Sequence, residues 1–135
     1  MKGICYIPSM QLPILLAVAL GGALGSLLRY FVAGAIQSPA SAGFPWAIFI
    51  VNVTGGFAMG VIVELSALKL QISPELRTFL TVGILGGYTT FSTFSLESAV
   101  LLQRGAYGLA AAYISGSALL SIAALFAGLW LVRAL

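Results

Sequence analysis

The sequence predicts an all-α membrane protein with four transmembrane helices. Of its 135 residues, 61% are hydrophobic and 7% charged, where a soluble domain is about 25% charged. Its six Lys or Arg and three Glu leave four long charge-free runs: Gly3–Leu28, Tyr30–Val63, Thr78–Leu96 and Gly105–Val132. A bilayer core about 30 Å thick takes roughly 20 apolar residues per helix, so each run has the length of one crossing.

The first helix is placed at Leu12–Ile36, with Arg29 near its end beside Tyr30. Gly21 and Gly25, and Gly22 and Ser26, recur at the four-residue spacing that lets helix backbones approach closely in lipid. Lys2 ahead of an apolar run and small residues also matches a signal peptide; cleavage would leave three helices and discard this glycine face. The second helix is placed at Phe44–Leu68. It carries a second small pair, Gly56 and Gly60, has Asn52 and Thr54 mid-way, and bears Glu64 near its end, where the side chain could snorkel to the interface.

The third helix is placed at Glu75–Leu102. In "ISPELRT", Ser73 is a natural N-cap, Pro74 fits the first helical position, and Glu75 favours the positive end of the helix dipole. Gly83 and Gly87 are another small pair. We expect a break at Gly86-Gly87, because glycine accepts backbone angles that other residues avoid. The fourth helix is placed at Tyr107–Val132, where Tyr113, Ser117 and Ser121 share a face. The connections Gln37–Gly43, Lys69–Pro74 and Gln103–Ala106 leave no room for an extramembrane domain, so residues 1–135 read as one four-helix transmembrane domain.

The charges bias orientation only weakly. Lys2, Lys69, Arg77 and Arg133 fall on one side, Arg104 and Arg29 on the other. The positive-inside rule leans toward cytoplasmic termini, but the lean is small enough for insertion both ways. The net charge of +3 is spread thinly, with no basic run of the kind that binds nucleic acid. The lone Cys5 precludes an internal disulfide and leaves the redox compartment unread.

Catalytic parts are scarce. There is no His and no Asp, and the only carboxylates are Glu64, Glu75 and Glu97. One chain cannot assemble a Cys/His zinc site or a nucleophile–base–orienter triad. An enzyme is therefore not expected; transport, permeation or assembly remain.

The polar residues cluster. Asn52 and Thr54 mark the second helix, Thr89, Thr90, Ser92, Thr93 and Ser95 the third, and Tyr113, Ser117 and Ser121 the fourth. Interhelical hydrogen bonding accounts for any one of them, but three striped helices read as a polar track. Carbonyls freed at a helix break can hold a cation, and the following half-helix N-terminus favours an anion. Phe91 and Phe94 share a face, and a phenyl ring has a positive edge that suits a small anion; on spacing alone, simple packing is the favoured reading of the pair. Glu97, about ten residues past the break, faces a cavity or a partner if it follows the habit of intramembrane acids. Arg29 is either part of the same system or an interfacial anchor.

"GGALGSLLRY" (21–30), "NVTGGFAMG" (52–60) and "GILGGYTTFSTFS" (83–95) together resemble the bacterial fluoride channels of the Fluc, or CrcB, family. The match runs through all four helices in order, and the third motif departs only at Tyr88, where variation is expected. The resemblance implies an antiparallel, dual-topology homodimer in the lipid of the cytoplasmic (inner) membrane. Its two pores would export fluoride passively and so relieve fluoride toxicity. It implies a structural sodium ion at the dimer two-fold, held by the carbonyls of Gly86 and Thr89 from both subunits. It places the pore phenylalanines at Phe91 and Phe94, the pore asparagine at Asn52, the last-helix track at Tyr113, Ser117 and Ser121, the motif acid at Glu97 and the first-helix arginine at Arg29. Thr90, Ser92 and Thr93 would lend hydroxyls to the ion pathway.

A small multidrug-type proton-coupled exporter is also a four-helix antiparallel dimer, but it needs an acid in its first helix; here none precedes Glu64. A non-transporting assembly subunit would use the glycine faces and have no need of the polar track.

Overall fold

The computed structural model describes residues 12–36, 43–68 and 70–135. Lys2, Cys5, Lys69 and positions 37–42 of the first expected connection lie outside them. Helix α1 spans Leu12–Ile36, as the sequence predicts, and α2 spans Trp46–Leu68. The second helix starts two residues later than expected because Phe44 precedes Pro45, and a residue before proline is steered away from helical angles. The third crossing runs Pro74–Gln103 in two parts: α3, residues 74–88, and α4, Phe91–Gln103. Ser73 caps α3 as expected, its hydroxyl accepting from the Leu76 N–H at 3.2 Å. Helix α5 spans Tyr107–Ala134.

All four crossings are long and apolar enough to span a membrane; the chain is a multi-pass membrane protein. Among the described residues there is no strand. Large apolar side chains such as Leu20, Phe126 and Trp130 are exposed. Lipid tails are as apolar as leucine, so such faces are at home in a bilayer.

The closest helix contacts rest on glycines. A methyl group added at Gly21 would lie 2.6 Å from the Phe79 carbonyl and 2.8 Å from the Gly83 Cα. One added at Gly87 would lie 2.6 Å from the Gly22 carbonyl. These contacts press α1 against α3. On the other side, Gly56 meets the Ser121 carbonyl, Gly60 the Leu125 carbonyl and Gly128 the Phe57 carbonyl, which presses α2 against α5. The turn between α4 and α5 uses glycine differently. Gly105 adopts φ 71°, while its N–H bonds the Leu102 carbonyl and the Ala106 N–H the Leu101 carbonyl, both at 3.0 Å. This left-handed cap reverses the chain within a few residues.

The structure corrects the position of the break. Gly86 is helical, at φ −64° and ψ −37°, and Gly86–Tyr88 continues the helix. The chain leaves helical geometry at Thr89 and Thr90. Upstream the helix widens over Phe79–Leu85, so that the Gly86 N–H reaches the Thr81 carbonyl, five residues back. The glycines of this motif are therefore not where the backbone unwinds. Gly83 and Gly87 supply clearance for α1, and the break falls at two threonines instead.

Glu64 is also corrected. It does not snorkel: it is buried, and its Oε1 accepts from the Arg133 Nε at 2.6 Å, joining the ends of α2 and α5. Removing the cation strands a buried carboxylate, whereas neutralising the carboxylate leaves an arginine that water can reach. Arg133→Ala is thus expected to lower the thermal midpoint more than Glu64→Gln in the detergent-solubilised protein. The reverse order would show that the pair is not held by burial of the acid.

Candidate functional site

The site is built where the third crossing breaks. Thr89 and Thr90 are extended, at ψ 157° and 122°. Such backbone at membrane depth needs partners from the protein, and the side chains of Asn52 and Arg29 provide them. The Asn52 amide meets both polar groups of one residue: its Oδ1 accepts from the Thr90 N–H at 3.0 Å and its Nδ2 donates to the Thr90 carbonyl at 3.2 Å. Arg29 Nη1 donates to the Thr89 carbonyl at 3.2 Å. The Thr89 hydroxyl turns back to the Leu85 carbonyl at 2.9 Å.

Thr90 then starts the next half-helix. Its hydroxyl accepts from the Thr93 N–H at 3.3 Å and lies 3.2 Å from both the Ser92 and Thr93 hydroxyls. Because the Thr90 N–H is committed to Asn52, it does not make the i→i−4 bond to the Gly86 carbonyl that a continuous helix would have. Gly86 itself is exposed.

A groove of about 400 Å³ runs between α2, the break and α5. Asn52, Thr89, Thr90, Phe91, Phe94, Ser117 and Ser121 line it, with Met59, Ile122 and Leu125 as apolar wall. Asn52 spends one amide hydrogen on Thr90 and has a second left. The Ser117 and Ser121 hydroxyl oxygens are buried without a hydrogen-bond partner among the described residues. Phe91 is 79% exposed, and its ring centre lies 5.5 Å from that of Phe94.

About one helical turn farther along α4 and α5, the Tyr113 hydroxyl donates to Glu97 Oε2 at 2.6 Å. Neither residue lines the groove, so they extend its polar line at one end. Ser92 and Thr93 stand behind Thr90, and Arg29 behind Thr89. The structure thus gathers the sequence-predicted residues around one groove, with Gly86 on an exposed face beside it. Two polar residues of the stripes turn away. Thr54 bonds carbonyls of its own helix and lies 3.0 Å from the Tyr88 hydroxyl. Ser95 bonds the Phe91 carbonyl of its own helix.

Sequence reasoning missed Tyr88, which it treated as a variable position. Its ring is packed with Val51 and Leu85. It missed Phe44 as well, whose ring meets that of Tyr113 edge-on at 5.5 Å. No local spacing links residues so far apart in the chain.

Four apolar crossings around an interrupted helix and an uncharged groove of hydroxyls, amide and rings define a membrane permeation protein. The family model described as CrcB-like protein, Camphor Resistance (CrcB), matches residues 16–129, and the chain belongs to that family. It is 55% identical over 119 residues to a Rhodospirillum centenum protein, covering 88% of this chain and 94% of that one. It is 52% identical over 116 residues to a protein of Agrobacterium fabrum, covering 86% and 93%. A Caulobacter vibrioides protein is 50% identical over 120 residues, covering 88% and 94%. Each of these relatives bears the name fluoride-specific ion channel FluC.

Proposed function

We propose that this chain is a fluoride channel of the inner membrane that exports the ion passively and performs no chemistry on it. The observation that carries the reading is the pair of hydroxyls, Ser117 and Ser121, unpartnered among the described residues and buried at a groove that two phenyl rings also line. A buried hydroxyl without a partner costs roughly 1–3 kcal/mol, and a small dehydrating anion would satisfy it. The free N–H of Asn52 adds an amide donor, and ring edges of Phe91 and Phe94 add weak positive potential. The relatives' shared name supplies the identity of the anion.

The working form is proposed to be an antiparallel homodimer. Phe91 projects from the protomer, and the weak charge bias permits insertion in both orientations. A sodium ion at the two-fold fits the donors present. Among the described residues no group of His, Cys, Asp or Glu could hold a metal; the oxygens that would hold sodium are neutral backbone carbonyls. The Gly86 carbonyl has lost its helical donor to Asn52, and the Thr89 carbonyl, shared with Arg29, lies at the same break. Sodium there would supply positive charge binding the two breaks together.

Liposomes loaded with fluoride and carrying the purified protein test the reading. Efflux is expected, with chloride retained, and it is expected to weaken when an organic cation replaces sodium during purification and assay. Reporters at the C-terminus are expected on both sides of the membrane. Liposomes that hold their fluoride would overturn the channel; a single reporter orientation would overturn the antiparallel homodimer; sodium-indifferent efflux would count against a required ion.

A further inference from the structure

We propose that Phe44 is a positioning residue for anion passage, acting through Tyr113; the proposal rests on the fluoride-channel reading. Phe44 lies ahead of α2, outside the groove. Its ring meets Tyr113 at 5.5 Å and 86°, an edge-on contact. Phe94 approaches the same tyrosine at 5.3 Å and 39°, and Phe91 continues from Phe94. Four rings therefore form an unbroken series from the groove to the start of α2.

Tyr113 is fully buried, packed with Leu101, Ala110 and the surrounding phenylalanines. Its hydroxyl makes a 2.6 Å bond to Glu97 on another helix. That bond needs the ring held at one angle, and an edge-on neighbour sets an angle where an aliphatic side chain of similar size does not. The backbone fixes Phe44 in turn. Gly43 adopts φ 80°, Pro45 follows, and the Trp46 N–H bonds the Phe44 carbonyl at 2.9 Å. Local turn chemistry at 43–46 thus aims a ring at a tyrosine about seventy residues away, and through it at the end of the polar line.

Fluoride efflux from liposomes tests this with five proteins beside wild type: Phe44→Leu, Phe44→Tyr, Trp46→Leu, Tyr113→Phe and the double variant Phe44→Leu/Tyr113→Phe. Trp46 touches Phe44 and Phe49 but makes no ring contact with Tyr113. Phe44→Leu is expected to slow efflux by about tenfold, while Phe44→Tyr, which keeps the ring, and Trp46→Leu stay within about twofold of wild type. The double variant is expected to be no slower than Tyr113→Phe, because both changes act on one element. Phe44→Met replaces the leucine variant if the latter does not elute as wild type on size exclusion. Native efflux in Phe44→Leu, equal loss in Phe44→Tyr, or losses that multiply in the double variant would each overturn the role of Phe44. Wild-type liposomes that release no fluoride would overturn the channel reading, and this proposal with it.

Discussion

Asn52→Asp is expected to slow fluoride efflux by about a hundredfold or more, the largest effect of any single change at the site. Asparagine and aspartate have nearly the same shape, so the groove is not refilled. The bond from the Thr90 N–H survives, because an oxygen still stands where Oδ1 stood. The bond to the Thr90 carbonyl does not, because Nδ2 becomes an acceptor facing an acceptor. One lost hydrogen bond costs about 1 kcal/mol and leaves the fold intact. The charge matters more. Two like charges 4 Å apart interact by about 4 kcal/mol at an effective dielectric of about 20, which is nearly three powers of ten in occupancy. Asn52→Ala separates the two causes: it removes the clamp without adding charge, and its loss is expected to be smaller. Efflux from fluoride-loaded liposomes, with size-exclusion profiles as a check on folding, gives the answer. Undiminished efflux in Asn52→Asp would remove Asn52 from the ion pathway and leave it a clamp on the break.

The phenylalanine pair carries the second large effect. Phe91→Ile and Phe94→Ile are each expected to slow efflux by at least about tenfold while the protein still folds, since isoleucine fills similar space but lacks the ring quadrupole. The structure separates the two residues in stability. Phe91 is 79% exposed in the protomer and, among the described aromatics, touches only the Phe94 ring, whereas Phe94 contacts both Phe91 and Tyr113. Volume-conserving swaps in a core cost under about 1.5 kcal/mol, and each aromatic contact adds about 0.5–1.5 kcal/mol. Phe94→Ile should therefore lower the thermal midpoint more than Phe91→Ile, though both slow efflux. If both variants conduct normally and differ only in stability, the rings are packing residues.

The class, the number of crossings and most of the cast are legible in the amino-acid order alone. Charge-free runs of bilayer length are a one-dimensional signal, because the membrane imposes its thickness on every helix separately. Hence Leu12–Ile36 could be placed to the residue, and Ser73 identified as a cap. The four-residue spacing of Tyr113, Ser117 and Ser121 likewise marks one helix face before any partner is known.

Which residue breaks the third helix, and which groups satisfy the break, depends on how the helices come together. A double glycine permits unwinding but does not require it. At Gly86-Gly87 the helix continues, and Gly87 admits the Gly22 backbone. The break falls at Thr89 and Thr90, where partners exist: Asn52 of α2 and Arg29 of α1, 38 and 60 residues away in the chain, take the freed groups. Likewise Glu64 reads as an interfacial acid until Arg133, 69 residues on, is seen to meet it. Backbone polar groups in an apolar medium unwind only where something waits to bond them. That something lies on other helices, at distances no local pattern in the chain records.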